Sequence, residues 1–184
     1  MLDLQANSLE DENVKLAITD GKNRVSSMAT IHQMLYQEED AGNIFFKEYI
    51  NKLVNQIMST FSHLHRTKIN IDIPEDTKFN IDTSIPLGLI VTELFTNALK
   101  YGVADRKTGC IDLIIRPLGD NNYTLKIKDN GPGLPEGYQS RKSKSLGLRL
   151  VKNLSKQIKG NLICANNDGA EFSISFKGES FNIT

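Results

Sequence analysis

The stretch Thr92 to Tyr101, TELFTNALKY, with the apolar residues that precede it, constrains the chain most. At helical spacing Glu93, Asn97 and Lys100 share one face, while Leu87, Ile90, Val91, Leu94 and Ala98 cover the other. Such a helix must lay its apolar side on a core, which leaves an acid, an amide and an amine lined up along a groove. That trio suits a metal nucleotide. An amide oxygen can join the oxygen shell of Mg2+, an ammonium can neutralise phosphate, and a carboxylate can take a proton or position a nucleophile. Alone, the helix reads more plainly as a surface helix with scattered polar residues, and two later segments change that.

From Tyr123 the run YTLKIKD alternates like a strand, ends in Asp129 and meets Asn130-Gly131-Pro132-Gly133, a turn that lets backbone approach a ligand. Asp129 is placed there to accept a hydrogen bond from an exocyclic amine. The alternative is an Asp-Asn-Gly hairpin turn, which needs a second strand at once. In place of that strand comes the polar run Glu136 to Ser145, read as a mobile lid. Its Arg141, Lys142 and Lys144 either clamp a polyphosphate or keep a disordered loop soluble, and both hold if the run orders with nucleotide. The run closes on Ser145-Leu146-Gly147-Leu148, where an apolar-periodic helix begins. Bare N–H groups and the helix dipole make an anion site of such a start.

These residues resemble a known family, the ATP-binding catalytic domain of sensor histidine kinases in the GHKL (Bergerat-fold) ATPase superfamily. ELFTNALKY resembles the N box, DNGPG the first glycine box, SLGLRLV the second, and Gly169-Ala170-Glu171-Phe172 the last short glycine motif before the final strand. The resemblance covers nearly the whole chain. It implies that Asp129 reads the adenine amino group, Asn97 holds Mg2+, Lys100 contacts phosphate and Glu93 is the catalytic residue that polarises or positions the acceptor imidazole. It also implies that Tyr101, Gly131, Gly133, Leu134, Lys142, Lys144, Ser145, Leu146, Gly147 and Leu148 line the ATP pocket.

Net charge is zero, with 22 basic and 22 acidic residues among 184, so there is no electrostatic case for nucleic acid or an anionic membrane. No apolar run reaches the length of a membrane span and the N-terminus lacks a signal-peptide pattern, features of a cytoplasmic piece. Cys110 and Cys164 fall in expected strands without zinc spacing and read as buried thiols, a disulfide between them being the lesser alternative.

Toward the N-terminus, Val14, Ile18, Gly21, Val25, Met28, His32 and Leu35 follow the alternating spacing of a heptad seam. With Leu2, Leu4 and Leu9 ahead, a helical hairpin that dimerises into a four-helix bundle is expected. RVSSMATIHQMLYQEED, followed by FFKEYINKL, resembles the second helix of the dimerisation and phosphotransfer domain of kinases whose first helix carries an H-R-x-x-N acceptor. Nothing in the chain matches that motif, which is expected ahead of Leu2. His32 reads as a packed bundle histidine, and His63 and His65 as polar residues near a helix end.

Asp40 to Asn43 breaks the helix, and Ile44 to about His65 is expected to resume it. Strands are expected at Lys68–Pro74, Lys78–Asp82, Cys110–Pro117, Tyr123–Asp129, Asn161–Ala165 and Glu171–Lys177. Pro86 is expected in the first turn of the organising helix, after Asp82, Thr83 and Ser84 as candidate caps, and Gly102 at its end. The last helix is expected over Leu146–Lys159, with Gly160 as a left-handed cap. Arg106 and Lys107 either reach phosphates or are solvated loop charges.

The expected fold is α+β, a two-layer α/β sandwich of the Bergerat type behind a bundle-forming hairpin. Residues 1–42 are expected to be a partial dimerisation region, 43–178 the ATP-binding domain and 179–184 a tail. The resemblance implies the ATP- and Mg2+-dependent core of a two-component histidine kinase that homodimerises through its N-terminal helices, serves a response regulator receiver domain, and here binds ATP without an acceptor. A non-catalytic dimeric scaffold and a GHKL serine kinase or ATPase are the alternatives.

Overall fold

A computed structural model describes residues 21, 25, 29, 33, 43–61, 64, 66–135 and 146–178. Gly21, Val25, Ala29 and Gln33 are helical, and Val25, an expected seam residue, is 66% exposed in the single chain. Gly21 is a second described seam position, and Val14, Ile18, Met28, His32, Leu35, His63 and His65 lie outside the described residues.

Along the chain come β1 (Asn43–Phe45), α1 (Phe46–Thr60), β2 (Lys68–Asp72), β3 (Lys78–Asn80) and α2 (Ile81–Asn97), which runs into a π-helical turn (Ala98–Gly102). After these lie β4 (Cys110–Gly119), β5 (Asn122–Asp129), α3 (Leu146–Gln157), β6 (Asn161–Asn166) and β7 (Ala170–Lys177). The main sheet has five strands in the order β2-β4-β5-β7-β6, and β1 and β3 form a separate ribbon. β2 runs parallel to β4, and the other neighbours are antiparallel.

Strand alternation assigns the two faces of the sheet. Ile111, Leu113, Ile115, Leu125, Ile127, Phe172, Ile174 and Phe176 are buried on the helix side. Each such side chain contributes about 1.5–3 kcal/mol by leaving water. The opposite face carries Lys126 paired with Glu171 at 3.2 Å, the Thr124 and Ser173 hydroxyls 3.3 Å apart, and Asn70 donating to Asp112 at 2.6 Å. A polar outer face with helices on the other side is the expected α+β sandwich.

α2 is more deeply set than its pattern suggested. Thr83, Ser84 and every residue from Pro86 to Thr96 are buried, because the helix packs on α1, α3 and β5 together. Its start also differs from expectation. Asn80 is the cap, its Oδ1 accepting the Thr83 N–H at 2.9 Å, so Pro86 lies inside the helix rather than in its first turn. The short β3 ends at Asn80, and the cap there leaves Asp82, Thr83 and Ser84 within the helix.

α1 is shorter than expected at both ends. Asn43–Phe45 is extended because it pairs with Lys78–Asn80, and beyond Thr60 the Phe61 N–H turns back to Met58 O at 3.0 Å. An edge-to-face chain of rings, Tyr49–Phe46–Phe79–Phe176, then ties α1 and the ribbon to the sheet. At the end of α3 the left-handed residue is Lys159, with φ +52°, not Gly160. Cys110 and Cys164 are free thiols on β4 and β6, with β5 and β7 between them, which removes the disulfide alternative.

Candidate functional site

Asp129 closes β5 and is buried. The β5–β7 register, Lys128 opposite Glu171, brings Ala170 beside it. Asp129 Oδ1 accepts the Gly131 N–H at 2.8 Å and the Ala170 N–H at 3.2 Å. Both bonds fall on one oxygen, and Oδ2 makes no hydrogen bond among the described residues. The carboxylate is therefore fixed in orientation with one acceptor left over for a donor from outside the chain.

The π-helical turn forms the facing wall. Val103 N–H reaches back to Ala98 O at 2.9 Å, and the widened turn sets Gly102 against the Asp129 carboxylate. Gly131 in turn lies on the Gly102 backbone, so any side chain at either position would fill the space where these segments meet. Lys100 and Tyr101 belong to this turn and Asn97 immediately precedes it. Thus one helix carries Glu93, Asn97 and Lys100 up to the wall that faces Asp129. Glu93 is buried, Asn97 and Lys100 are half-buried, and Tyr101 is 71% exposed.

Two asparagines, Asn130, read from the sequence only as part of the turn, and Asn166, hold the turn after Asp129 through partners that no local pattern gives. Asn130 Oδ1 accepts the Cys110 N–H at 2.9 Å and its Nδ2 donates to Thr108 O at 3.0 Å, which locks the turn to the start of β4. Asn166, at the end of β6, grips the Leu134 backbone with both ends of its amide, accepting from N–H at 2.6 Å and donating to C=O at 3.0 Å. Gly133, with φ +85°, packs against that amide. The only sequence signal is an asparagine at a strand end, which composition reads as turn chemistry.

At the start of α3, Leu146 is exposed, and Gly147 and Leu148 are half-buried. Lys142, Lys144 and Ser145 lie outside the described residues. Arg106 and Lys107 are not gathered at Asp129; they line a separate small cavity with Arg66.

Among the described residues no group of three or more His, Cys, Asp or Glu side chains could hold a metal ion. The neutral Asn97 amide beside a half-buried lysine fits a hard cation that arrives on phosphates and keeps much of its water, and does not fit a protein-made metal cage. The oriented Asp129 carboxylate, with Oδ2 left without a hydrogen bond among the described residues, fits a ligand that bears an amine donor.

Fold and site together define a two-layer α+β sandwich of the GHKL class. Residues 82–180 match the family described as histidine kinase-, DNA gyrase B-, and HSP90-like ATPase, and residues 1–61 match a family described as histidine kinase. Among curated relatives, Blue-light-activated histidine kinase 2 of Erythrobacter litoralis is 31% identical over 128 residues, covering 66% of this chain and 37% of its own length. Sensor histidine kinase PdtaS of Mycolicibacterium smegmatis is 27% identical over 168 residues, covering 88% of this chain and 32% of its own. The chain thus spans about a third of the length of these relatives. Among solved structures, the histidine kinase domain of the Erythrobacter litoralis EL346 blue-light activated histidine kinase superposes with a TM-score of 0.75 at 21% identity, covering 86% of this chain and 74% of that one. The chain belongs to the histidine kinase-, DNA gyrase B-, and HSP90-like ATPase family, as a sensor histidine kinase core.

Proposed function

We propose that the chain binds Mg-ATP between α2 and the Asp129–Gly133 turn and supplies the kinase site of a two-component sensor histidine kinase. The observation that carries this reading is the open Oδ2 of Asp129, fixed in place by the two N–H groups on Oδ1. Oδ2 accepts from the adenine amino group, and the Gly102–Gly131 contact sets the wall against which that carboxylate is held. Asn97 offers its amide oxygen to Mg2+, which neutralises phosphate charge when it arrives with the nucleotide. Lys100 adds a positive charge on the phosphates, and Gly147 and Leu148 add backbone N–H groups at the start of α3.

An acceptor imidazole nitrogen then forms a bond to the γ-phosphorus as the bond to the bridging β–γ oxygen breaks, and ADP leaves. Glu93 orients that imidazole and takes its proton. The 184 residues contain no H-R-x-x-N sequence, so this chain binds Mg-ATP without labelling itself. The N-terminal helices pair two copies, and the phosphoryl group passes onward to a receiver domain.

Calorimetry with the non-hydrolysable Mg-ATP analogue tests the site. Expected is saturable binding that Asp129→Ala weakens by at least about tenfold, the loss of one hydrogen bond to a charged group. No binding by the unaltered chain favours a scaffold instead. An acid-labile, alkali-stable label from γ-labelled ATP would contradict the missing acceptor, and His32→Ala would show whether that histidine carries it.

A further inference from the structure

The parallel pairing of β2 and β4 starts both strands at the same end of the sheet, with Lys68 opposite Cys110. The loops that lead into them are thereby held side by side. Lys68 N–H donates to Gly109 O at 2.8 Å and Thr67 N–H to Leu64 O at 2.9 Å, while Thr108 O is held by Asn130 at 3.0 Å. Between these pinned loops is a cavity of about 160 Å3 lined by Leu64, Arg66, Thr67, Ala104, Arg106 and Lys107.

Three of its six lining residues are cations, and no carboxylate among the described residues pairs with any of them. Asp105, between Ala104 and Arg106 in sequence, does not line the cavity. The volume falls below the roughly 300–1,000 Å3 of pockets for drug-sized ligands, so the occupant is small. None of the lining residues touches Asp129, although Gly102 against its carboxylate and Asn130 on Thr108 O tie the neighbouring loop to the turn that follows it.

We propose that this cavity is a second anion site, distinct from the nucleotide cleft, that takes a single phosphate group. Two guanidinium forks, an ammonium and the Thr67 hydroxyl present more donors than the two oxygens of a carboxylate can use, whereas a tetrahedral oxyanion has oxygens for several. The side chains are exposed, so the affinity is modest, with a dissociation constant of about a millimolar.

The test is a titration of the 15N-labelled chain with inorganic phosphate at constant ionic strength, followed by amide NMR. Expected are saturating shifts at Thr67 and across Ala104–Thr108. Arg66→Gln and Arg106→Gln each raise the half-saturation point by about two- to fivefold, the effect of one exposed charge pair. Lys152→Gln, an exposed cation on α3, changes nothing. An O-phosphoserine arm separates sources. Equal saturation assigns the site to phosphate esters as well, and saturation by inorganic phosphate alone assigns it to the free ion. The proposal fails if acetate shifts the same amides equally, if the shifts never saturate, if Lys152→Gln acts like Arg66→Gln, or if the shifts are confined to Asp129–Leu134. The last pattern would place phosphate in the nucleotide cleft, and it can be read whether or not ATP binds.

Discussion

Asp129 and Gly102 stand so close that no side chain fits between them: a methyl group at position 102 would lie 2.6 Å from the Asp129 carboxylate carbon. Gly102→Ala must therefore displace either the carboxylate or the π-helical turn. The expected outcome is about a tenfold loss of nucleotide affinity by calorimetry, together with a lower melting temperature. Asp129→Ala should lose at least as much affinity and also lower the melting temperature, because the Gly131 and Ala170 N–H groups lose their acceptor.

Asn166 is predicted to matter to the same site without touching a ligand. Its amide satisfies both backbone groups of Leu134, so Asn166→Ala should cost about 1 kcal/mol in chemical denaturation and weaken nucleotide binding as the turn loosens. Asn166→Asp keeps the acceptor but sets a carboxylate against the Leu134 carbonyl, and should be the more harmful of the two in both measurements.

Tyr49 presents the opposite case. Its hydroxyl is buried against Gly88 with no hydrogen-bond partner among the described residues, and burial pushes its phenol far above the ordinary tyrosine range. Tyr49→Phe removes an unsatisfied polar group and should leave stability unchanged or raise it by about 1 kcal/mol. Gly88→Ala drives a methyl into the Tyr49 ring and should destabilise by about 1–3 kcal/mol, read from urea midpoints.

Glu171 should make stability depend on pH. Partial burial pushes its carboxyl up, but the Asn167 and Lys126 contacts outweigh this and hold it below the ordinary glutamate range. A depressed folded value means that the contribution is present above the unfolded pKa, about 4.3, and is lost as pH falls through the folded one. Glu171→Gln should therefore cost less than about 1 kcal/mol at neutral pH, and the difference from the unaltered chain should vanish in acid. A difference that grew on acidification would contradict the assignment.

Much of this arrangement is legible in the sequence because it depends on periodicity and on residues with special backbones. The alternation from Tyr123 marks β5 to within a residue, and Asp129 followed by Asn130 and glycines marks the strand end where a carboxylate can be displayed. The concealed part is tertiary. Ile44 and Phe45 read as helical without the partner strand, Lys78–Asn80, that makes them part of β1. The amphipathic reading of α2 places Glu93 on an open face, whereas packing on several sides buries it. Asn130 and Asn166 act through backbone groups of distant segments, which no local pattern encodes.

The widened turn at Ala98–Gly102 has one more residue per loop of backbone than the helix before it. Gly102, at the end of that turn, is consequently shifted from the place that a regular spiral through Glu93 and Asn97 would give it. The seating of Gly102 against the Asp129 carboxylate is thus set as a vernier sets it, by a count of backbone units. Removing a single residue there would swing Gly102 away from Asp129 with every side chain of the site still present.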